Sequence, residues 1–145
     1  MAKPKSRVSF MSGVKTWVLF FLLAMQASGA KAPALGIVIV DEEREALNQE
    51  AKTLKAKIDR LGNHPLLPDV VIFHNAVRYA LDDRMFYKKE DIQSAHKLLE
   101  LGHSRADQLK AAKRPWTTAT GLVVRGYRSQ LDESVIPYGV DVPEN

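Results

Sequence analysis

The feature that most constrains the fold of this 145-residue chain is a change of pattern near its end. After Pro115, helical periodicity gives way to two runs of alternating residues, which predict strands at 121–129 and 134–142 around a polar turn at 130–133. An isolated hairpin is marginally stable in water and needs further strands or a helix to pack on. The sequence therefore predicts a hairpin that opens a larger structure.

The first thirty residues have the pattern of a secretory signal peptide. Basic residues come first, an apolar run follows at 17–25, and small residues lie at 27–30. The apolar run has nine residues, whereas a helix needs about 20 to cross a hydrocarbon core. We therefore expect cleavage near Ala30, export to the periplasm or medium, and contact with the membrane through the signal peptide alone. An uncleaved anchor is the alternative.

The predicted signal peptide, positions 1–30, accounts for the basic excess of the chain. The whole chain has 21 basic and 17 acidic residues and a pI near 9.4. Four of the basic residues and no acidic residue lie in positions 1–30, which leaves 17 of each sign in the remainder. Because the basic excess belongs to the signal peptide, the charge gives no support for a nucleic-acid-binding protein. The chain has no cysteine, so disulfides and thiolate zinc sites are excluded.

Three amphipathic helices are predicted after a lead-in segment at 31–40. Their predicted boundaries are 41–61, 68–83 and 89–112. Each helix begins with or near acidic residues, which the helix dipole favours, and Gly62 is a suitable stop for the first. The apolar run at 35–40 is either a buried strand or an approach to the first helix. Because the three apolar faces can pack together, the region 41–113 is predicted to be a small antiparallel helical unit.

The first helix carries a stripe of apolar residues spaced by four and three positions. Its members are Leu47, Ala51, Leu54, Ile58 and Leu61. The interpretation that the spacing favours is a helix packed on its own chain. The alternative is that the stripe binds a protein partner, in which case the chain would be a complete small periplasmic interaction module.

No residue of the chain is predicted to be catalytic, to bind a cofactor or to ligate a metal. His96 and His103 lie on one helix face, but about 10 Å apart along its axis, which is too far for one ion. His64 and His74 lack partners at ligand spacing, so structural or surface roles are favoured. The chain also lacks a Gly-x-Ser-x-Gly elbow and a glycine-rich phosphate loop.

A small anion or substrate edge could be formed by three polar residues of the first predicted strand. They are Arg125, Tyr127 and Arg128. The interpretation that we favour is that they form the outward face of the strand, with Tyr127 half-buried.

Stretches of the C-terminal part and of the helical region resemble a known family. The segment 115–129, Pro-Trp-Thr-Thr-Ala-Thr-Gly-Leu-Val-Val-Arg-Gly-Tyr-Arg-Ser, is followed by Asp132 and by 134–143, Ser-Val-Ile-Pro-Tyr-Gly-Val-Asp-Val-Pro. This pattern resembles secreted bacterial hydrolases of the prolyl-oligopeptidase-like and esterase-like branch of the α/β-hydrolase superfamily. The segments 69–80 and 98–102 are similar to their helical N-terminal region.

The resemblance implies that the chain is the non-catalytic N-terminal portion of an exported serine hydrolase. The helical region 41–113 would precede a hairpin at 114–145 that begins the hydrolase sheet, and its partner would be the rest of that domain. The Ser, Asp and His of the triad, which would cleave an ester or peptide bond, would then lie beyond residue 145. One departure is Glu133, where the family often has Gly; Gly best accepts a positive φ in a tight turn.

Overall fold

The computed structural model describes residues 35–144, in which three helices precede a two-stranded antiparallel hairpin. The elements are α1 (Asp41–Leu61), α2 (Pro68–Asp82), α3 (Lys89–Lys110), a 3₁₀ turn (Pro115–Thr117), β1 (Gly121–Arg128) and β2 (Val135–Val142). The mainly α class with a terminal hairpin is thus confirmed, with boundaries close to the predicted ones. The predicted signal peptide and its cleavage site lie outside the described residues. Within 35–144, no helix has the length and apolarity needed to cross a bilayer.

The three helices close on one another around a core of aliphatic side chains. Leu47, Leu54 and Ile58 of α1 are buried, and Leu61 is partly buried at its end. They pack in one cluster with residues of the other two helices, which include Val70, Phe73, Val77, Ile92, Leu99 and Ala106. The interpretation that the α1 stripe packs on its own chain is therefore confirmed. In this conformation the stripe offers no surface to a partner.

The apolar segment before α1 is an approach to the helix rather than a strand. Residues 35–40 have no regular secondary structure. Ile39 is the buried residue among them, Ile37 packs partly against the core, and Val38 is almost fully exposed. Backbone N–H groups of Gly36 and Ile37 donate to the carbonyls of Arg84 and Phe86 in the loop between α2 and α3. The segment is thereby fixed to that loop by main-chain hydrogen bonds.

The hairpin has a regular register from Gly121 opposite Val142 to Arg128 opposite Val135. The N–H of Ser129 donates to the carbonyl of Ser134 at 2.8 Å and closes a four-residue loop. In that loop Glu133 adopts φ +59°, a left-handed conformation that glycine accepts more readily than a residue with a Cβ. Glu133 thus occupies a backbone position that favours glycine.

Pro137 is accommodated without a bulge. Opposed residues in an antiparallel ladder alternate between hydrogen-bonded and non-hydrogen-bonded pairs. Since Ser129 and Ser134 form a hydrogen-bonded pair, Pro137 opposite Gly126 belongs to the other kind, and its nitrogen faces away from β1. Since proline has no N–H to donate to a ladder, a strand accepts it at a bulge or at an outward-facing edge position, and Pro137 occupies the second.

Candidate functional site at the junction of helix and hairpin

The most tightly organised polar cluster in the described residues surrounds Asp69. This residue is the second of α2 and is 1% exposed. A carboxylate in the first turn of a helix lies near the positive end of the helix dipole. Burial of a charged group is costly unless it is paired and hydrogen-bonded, so its partners decide whether the arrangement is stable.

Three donors from the C-terminal part of the chain converge on the Asp69 carboxylate. The indole N–H of Trp116 donates to Oδ2 at 2.9 Å, and the backbone N–H of Gly126 donates to Oδ1 at 2.7 Å. The Nε of Arg125 lies 3.1 Å from both oxygens and supplies the opposite charge. One buried side chain at the start of α2 therefore holds the 3₁₀ turn and β1 together. We call Asp69, Arg105, Trp116, Arg125 and Gly126 the Asp69 cluster.

Arg105 extends this cluster from α3. Its Nη1 donates to the carbonyl of Asp69 at 3.1 Å and to the carbonyl of Val124 at 2.9 Å. The guanidinium lies over the rings of Phe73 and Trp116, with its Cζ 4.9 and 5.0 Å from the ring centroids. Burial lowers the pKa of Arg105, and the negative charge of Asp69 acts in the opposite direction. Thus α3, the 3₁₀ turn and β1 are all bound to the beginning of α2.

The approach of β1 to α2 requires glycine. A Cβ at Gly126 would collide with the carbonyl oxygen of Pro68 and would lie 2.9 Å from the nitrogen of Asp69. Both contacts are with backbone atoms, which cannot turn aside as a flexible side chain can. Gly126 therefore allows its own N–H to reach the Asp69 carboxylate.

The two edges of the hairpin differ in their hydrogen bonding. Gly126 and Val124 lie in non-hydrogen-bonded pairs, so their backbone groups face outward from β1, where the Asp69 carboxylate and the Arg105 guanidinium bind them. On the outer edge of β2, Val135, Gly139 and Asp141 present backbone groups that have no backbone partner within residues 35–144. One edge is thus closed by the helical unit, and the other is open.

The hairpin also leaves apolar side chains uncovered. Its large apolar residues with more than a third of their surface exposed are Leu122, Val124, Tyr127, Leu131, Ile136, Tyr138 and Val140. Val123 is the one hairpin residue of the buried core, with Val135 and Val142 packed partly against it. An exposed edge combined with exposed apolar side chains is a surface on which a further strand can add.

The Asp69 cluster joins α2 to α3, the 3₁₀ turn and β1 through hydrogen bonds. Three hydrogen-bond donors occupy the carboxylate, which is almost inaccessible to solvent, so it has no free geometry for proton transfer to a substrate. Among residues 35–144, no group of three or more His, Asp or Glu side chains has a geometry that could hold a metal ion.

The structure separates the three residues predicted as a possible anion edge. Arg125 is partly buried against Asp69, so the expectation that it lies on the outward face of the strand is wrong. Arg128 donates to the carbonyl of Glu133 across the turn, and Tyr127 is 51% exposed. Their cationic groups do not form a common site.

Three of the four histidines make contacts that fix local structure. His64 Nδ1 accepts a hydrogen bond from the N–H of Leu66 at 3.1 Å. His96 Nδ1 lies 3.1 Å from both carboxylate oxygens of Glu50 and links α3 to α1. His74 is 8% exposed, and burial lowers its pKa.

Sequence reasoning did not identify the Asp69 cluster. The partners of Asp69 lie 36 to 57 positions after it, and neither charge nor periodicity says which acid meets which base across such a distance. Two signals were present. An Asp follows a Pro at a helix start, and a lone Trp follows a Pro between the helical and β regions, where a buried indole N–H needs an acceptor.

No protein-family model matches the chain, and no curated protein or solved structure is significantly similar to it.

Proposed function

We propose that this chain is the non-catalytic N-terminal portion of an exported serine hydrolase. In this proposal, the helical unit holds β1 in place and β2 presents its free edge to the remaining strands of a catalytic sheet. The Ser-His-Asp triad that cleaves the ester or peptide bond lies beyond residue 145. The observation that supports the proposal best is the difference between the two hairpin edges.

The open edge favours a role as the beginning of a sheet. A strand with an unpaired edge and exposed apolar side chains is prone to aggregate, and native proteins normally cover such a strand. In the hairpin, the polar contacts of Gly126 and Val124 close the β1 edge, whereas Ile136, Tyr138 and Val140 of β2 are 38 to 49% exposed. Growth of the sheet from β2 would pair the free backbone groups of its outer edge without disturbing the Asp69 cluster.

The arrangement of the stretches that resemble the hydrolase family also supports the proposal. The first stretch, 69–80, begins with Asp69, and the second, 115–129, contains the three donors to its carboxylate. The residues that carry the resemblance therefore form one connected unit rather than two unrelated segments. A shared structural role is a reason for these residue types to occur together.

The proposal is tested on the natural gene product. Antibodies raised against the chain would be used to capture that product from the cells and the culture medium of the source organism. The captured protein would then be treated with a fluorophosphonate, which labels activated serine nucleophiles. The expected result is an exported polypeptide much larger than 16.2 kDa that takes up the label, with the labelled serine outside residues 1–145.

Two results would contradict the proposal. One is a captured product no larger than this chain. The other is a larger product that stays unlabelled and hydrolyses neither ester nor peptide substrates. The 145-residue chain alone serves as the control, because the proposal expects it to remain unlabelled.

A further inference from the structure

A groove lies between α1 and α2, and polar residues of both helices line most of it. Its volume is about 530 Å³, which is within the range of about 300–1,000 Å³ that is typical of small-molecule sites. The lining residues are Asn48, Ala51, Lys52, Lys55, Ile58, Val71, His74, Asn75 and Arg78. We call this the α1–α2 groove.

The charge of the α1–α2 groove is of one sign. Lys52, Lys55 and Arg78 line it, and no Asp or Glu does. Lys55 pairs with Asp59, and Arg78 pairs with Asp82, each one helical turn further along its own helix. Among residues 35–144, no carboxylate lies within ion-pairing distance of Lys52. The groove therefore has one cation that its own surroundings do not neutralise.

Neutral polar groups and apolar side chains complete the lining. Asn48 and Asn75 are half-buried and bring amide donors from the two facing helices. The Nδ1 of His74 lies 3.3 Å from Oδ1 of Asn75, which leaves the Asn75 amide N–H groups available. Ala51, Ile58 and Val71 form an apolar part next to these groups, together with the aliphatic stems of the lysines.

We propose that the α1–α2 groove binds a small amphipathic carboxylate. The carboxylate would lie at Lys52, with the amides of Asn48 and Asn75 as further donors. The hydrocarbon part would lie on Ala51, Ile58 and Val71. A single negative charge matches the one cation that lacks a partner. The apolar lining distinguishes this ligand class from inorganic anions. The proposal does not depend on the hydrolase assignment, since no residue of the hairpin takes part.

The test uses amide chemical shifts of the full chain, titrated with octanoate. The expected shifts are confined to the lining segments 48–58 and 71–78. Octanol, which lacks the charge, and inorganic phosphate, which lacks the hydrocarbon, should each bind at least about fivefold more weakly. The Lys52→Gln variant should weaken octanoate binding by about fivefold, since it removes one partly exposed ion pair.

A matched control is Lys97→Gln, which removes an exposed lysine of α3 outside the groove and should leave the affinity for octanoate unchanged. Absence of shifts at the lining residues would overturn the proposal. So would equal binding of octanol or phosphate, an unaffected affinity in Lys52→Gln, or shifts centred on the exposed apolar residues of the hairpin.

Discussion

The helical unit and the hairpin are stabilised by different kinds of contact. In α1, α2 and α3, the apolar stripes face one another, and the most buried side chains include Leu47, Leu54 and Leu99 at 0% exposure. In the hairpin, one buried residue, Val123, reaches the core, and a cluster of polar contacts around Asp69 fixes the rest. The helices are thus held by apolar packing, which is non-directional, whereas the hairpin depends on a few directional hydrogen bonds. The difference makes the hairpin the more specific and the more vulnerable region.

The largest expected effect comes from removing the carboxylate that joins the two regions. Asp69→Ala leaves Arg125 and the indole of Trp116 without their acceptor, and loss of one member of a buried ion pair costs about 3–5 kcal/mol. Urea unfolding monitored by circular dichroism measures this loss. The control is Asp82→Ala at the exposed end of α2, where the pair with Arg78 contributes about 0–1 kcal/mol. Equal losses in the two variants would remove the special role of Asp69.

The contribution of apolar packing in the helical unit is measured by truncating a core side chain. Leu54→Ala removes a fully buried side chain between the helices and should lower the free energy of unfolding by about 3 kcal/mol. Leu131→Ala, at 99% exposure in the hairpin turn, should change it by less than about 0.5 kcal/mol. The same urea titration serves both variants. A larger loss at Leu131 than at Leu54 would mean that the hairpin, rather than the helices, carries the apolar core.

The helical unit should also lose stability in mild acid because of His74. Burial lowers the pKa of its imidazole below the ordinary value of 6.5. Just below pH 6.5, the imidazole is therefore protonated in the unfolded chain and still neutral in the folded chain. The free energy of unfolding should therefore fall as the pH drops below 6.5, by at most about 1.4 kcal/mol per pH unit until the folded imidazole also protonates.

This prediction is checked by urea unfolding at several pH values between 7.5 and 5. The His74→Gln variant should have a shallower pH dependence than the natural chain. Identical slopes in the natural chain and His74→Gln would contradict the account.

The smallest effect concerns the hairpin turn. Glu133 has φ +59°, and replacing it with Gly should raise the free energy of unfolding by about 1 kcal/mol because Gly adopts that conformation without a Cβ penalty. Thermal unfolding of Glu133→Gly measures the gain. Gln130→Gly, in the same turn but without a positive φ, should be neutral or slightly destabilising. A loss of stability in Glu133→Gly would show that the side chain contributes more than its backbone strain costs.

The sequence predicts the elements of this fold better than the contacts between them. Helix and strand boundaries follow from apolar periodicity, from Gly62 and from the proline positions, which are local signals. Alternation along β1 puts Arg125 on the same face as the buried Val123. It does not say that part of this face packs on α2, and so the prediction that Arg125 points outward is wrong.

The Asp69 cluster could not be predicted because it depends on the path of the whole chain. The contact between Asp69 and Gly126 spans 57 positions, and it requires both the carboxylate at the start of α2 and the absence of a Cβ in β1. Either feature alone has a local explanation, as a helix-start acid or as a strand glycine. Only the folded chain brings the two residues together, so that the N–H of Gly126 donates to the Asp69 carboxylate.

The central claim, that the helical unit closes one edge of the hairpin and leaves the other free, is tested by comparing two amides of the same hairpin. Gly126 and Gly139 both lie in non-hydrogen-bonded pairs, so both N–H groups face away from the partner strand. The first donates to Asp69, and the second has no hydrogen-bond acceptor within residues 35–144. Hydrogen exchange of the chain should therefore be strongly slowed at Gly126 and close to the rate of an unstructured peptide at Gly139. Equal protection of the two amides would contradict the account.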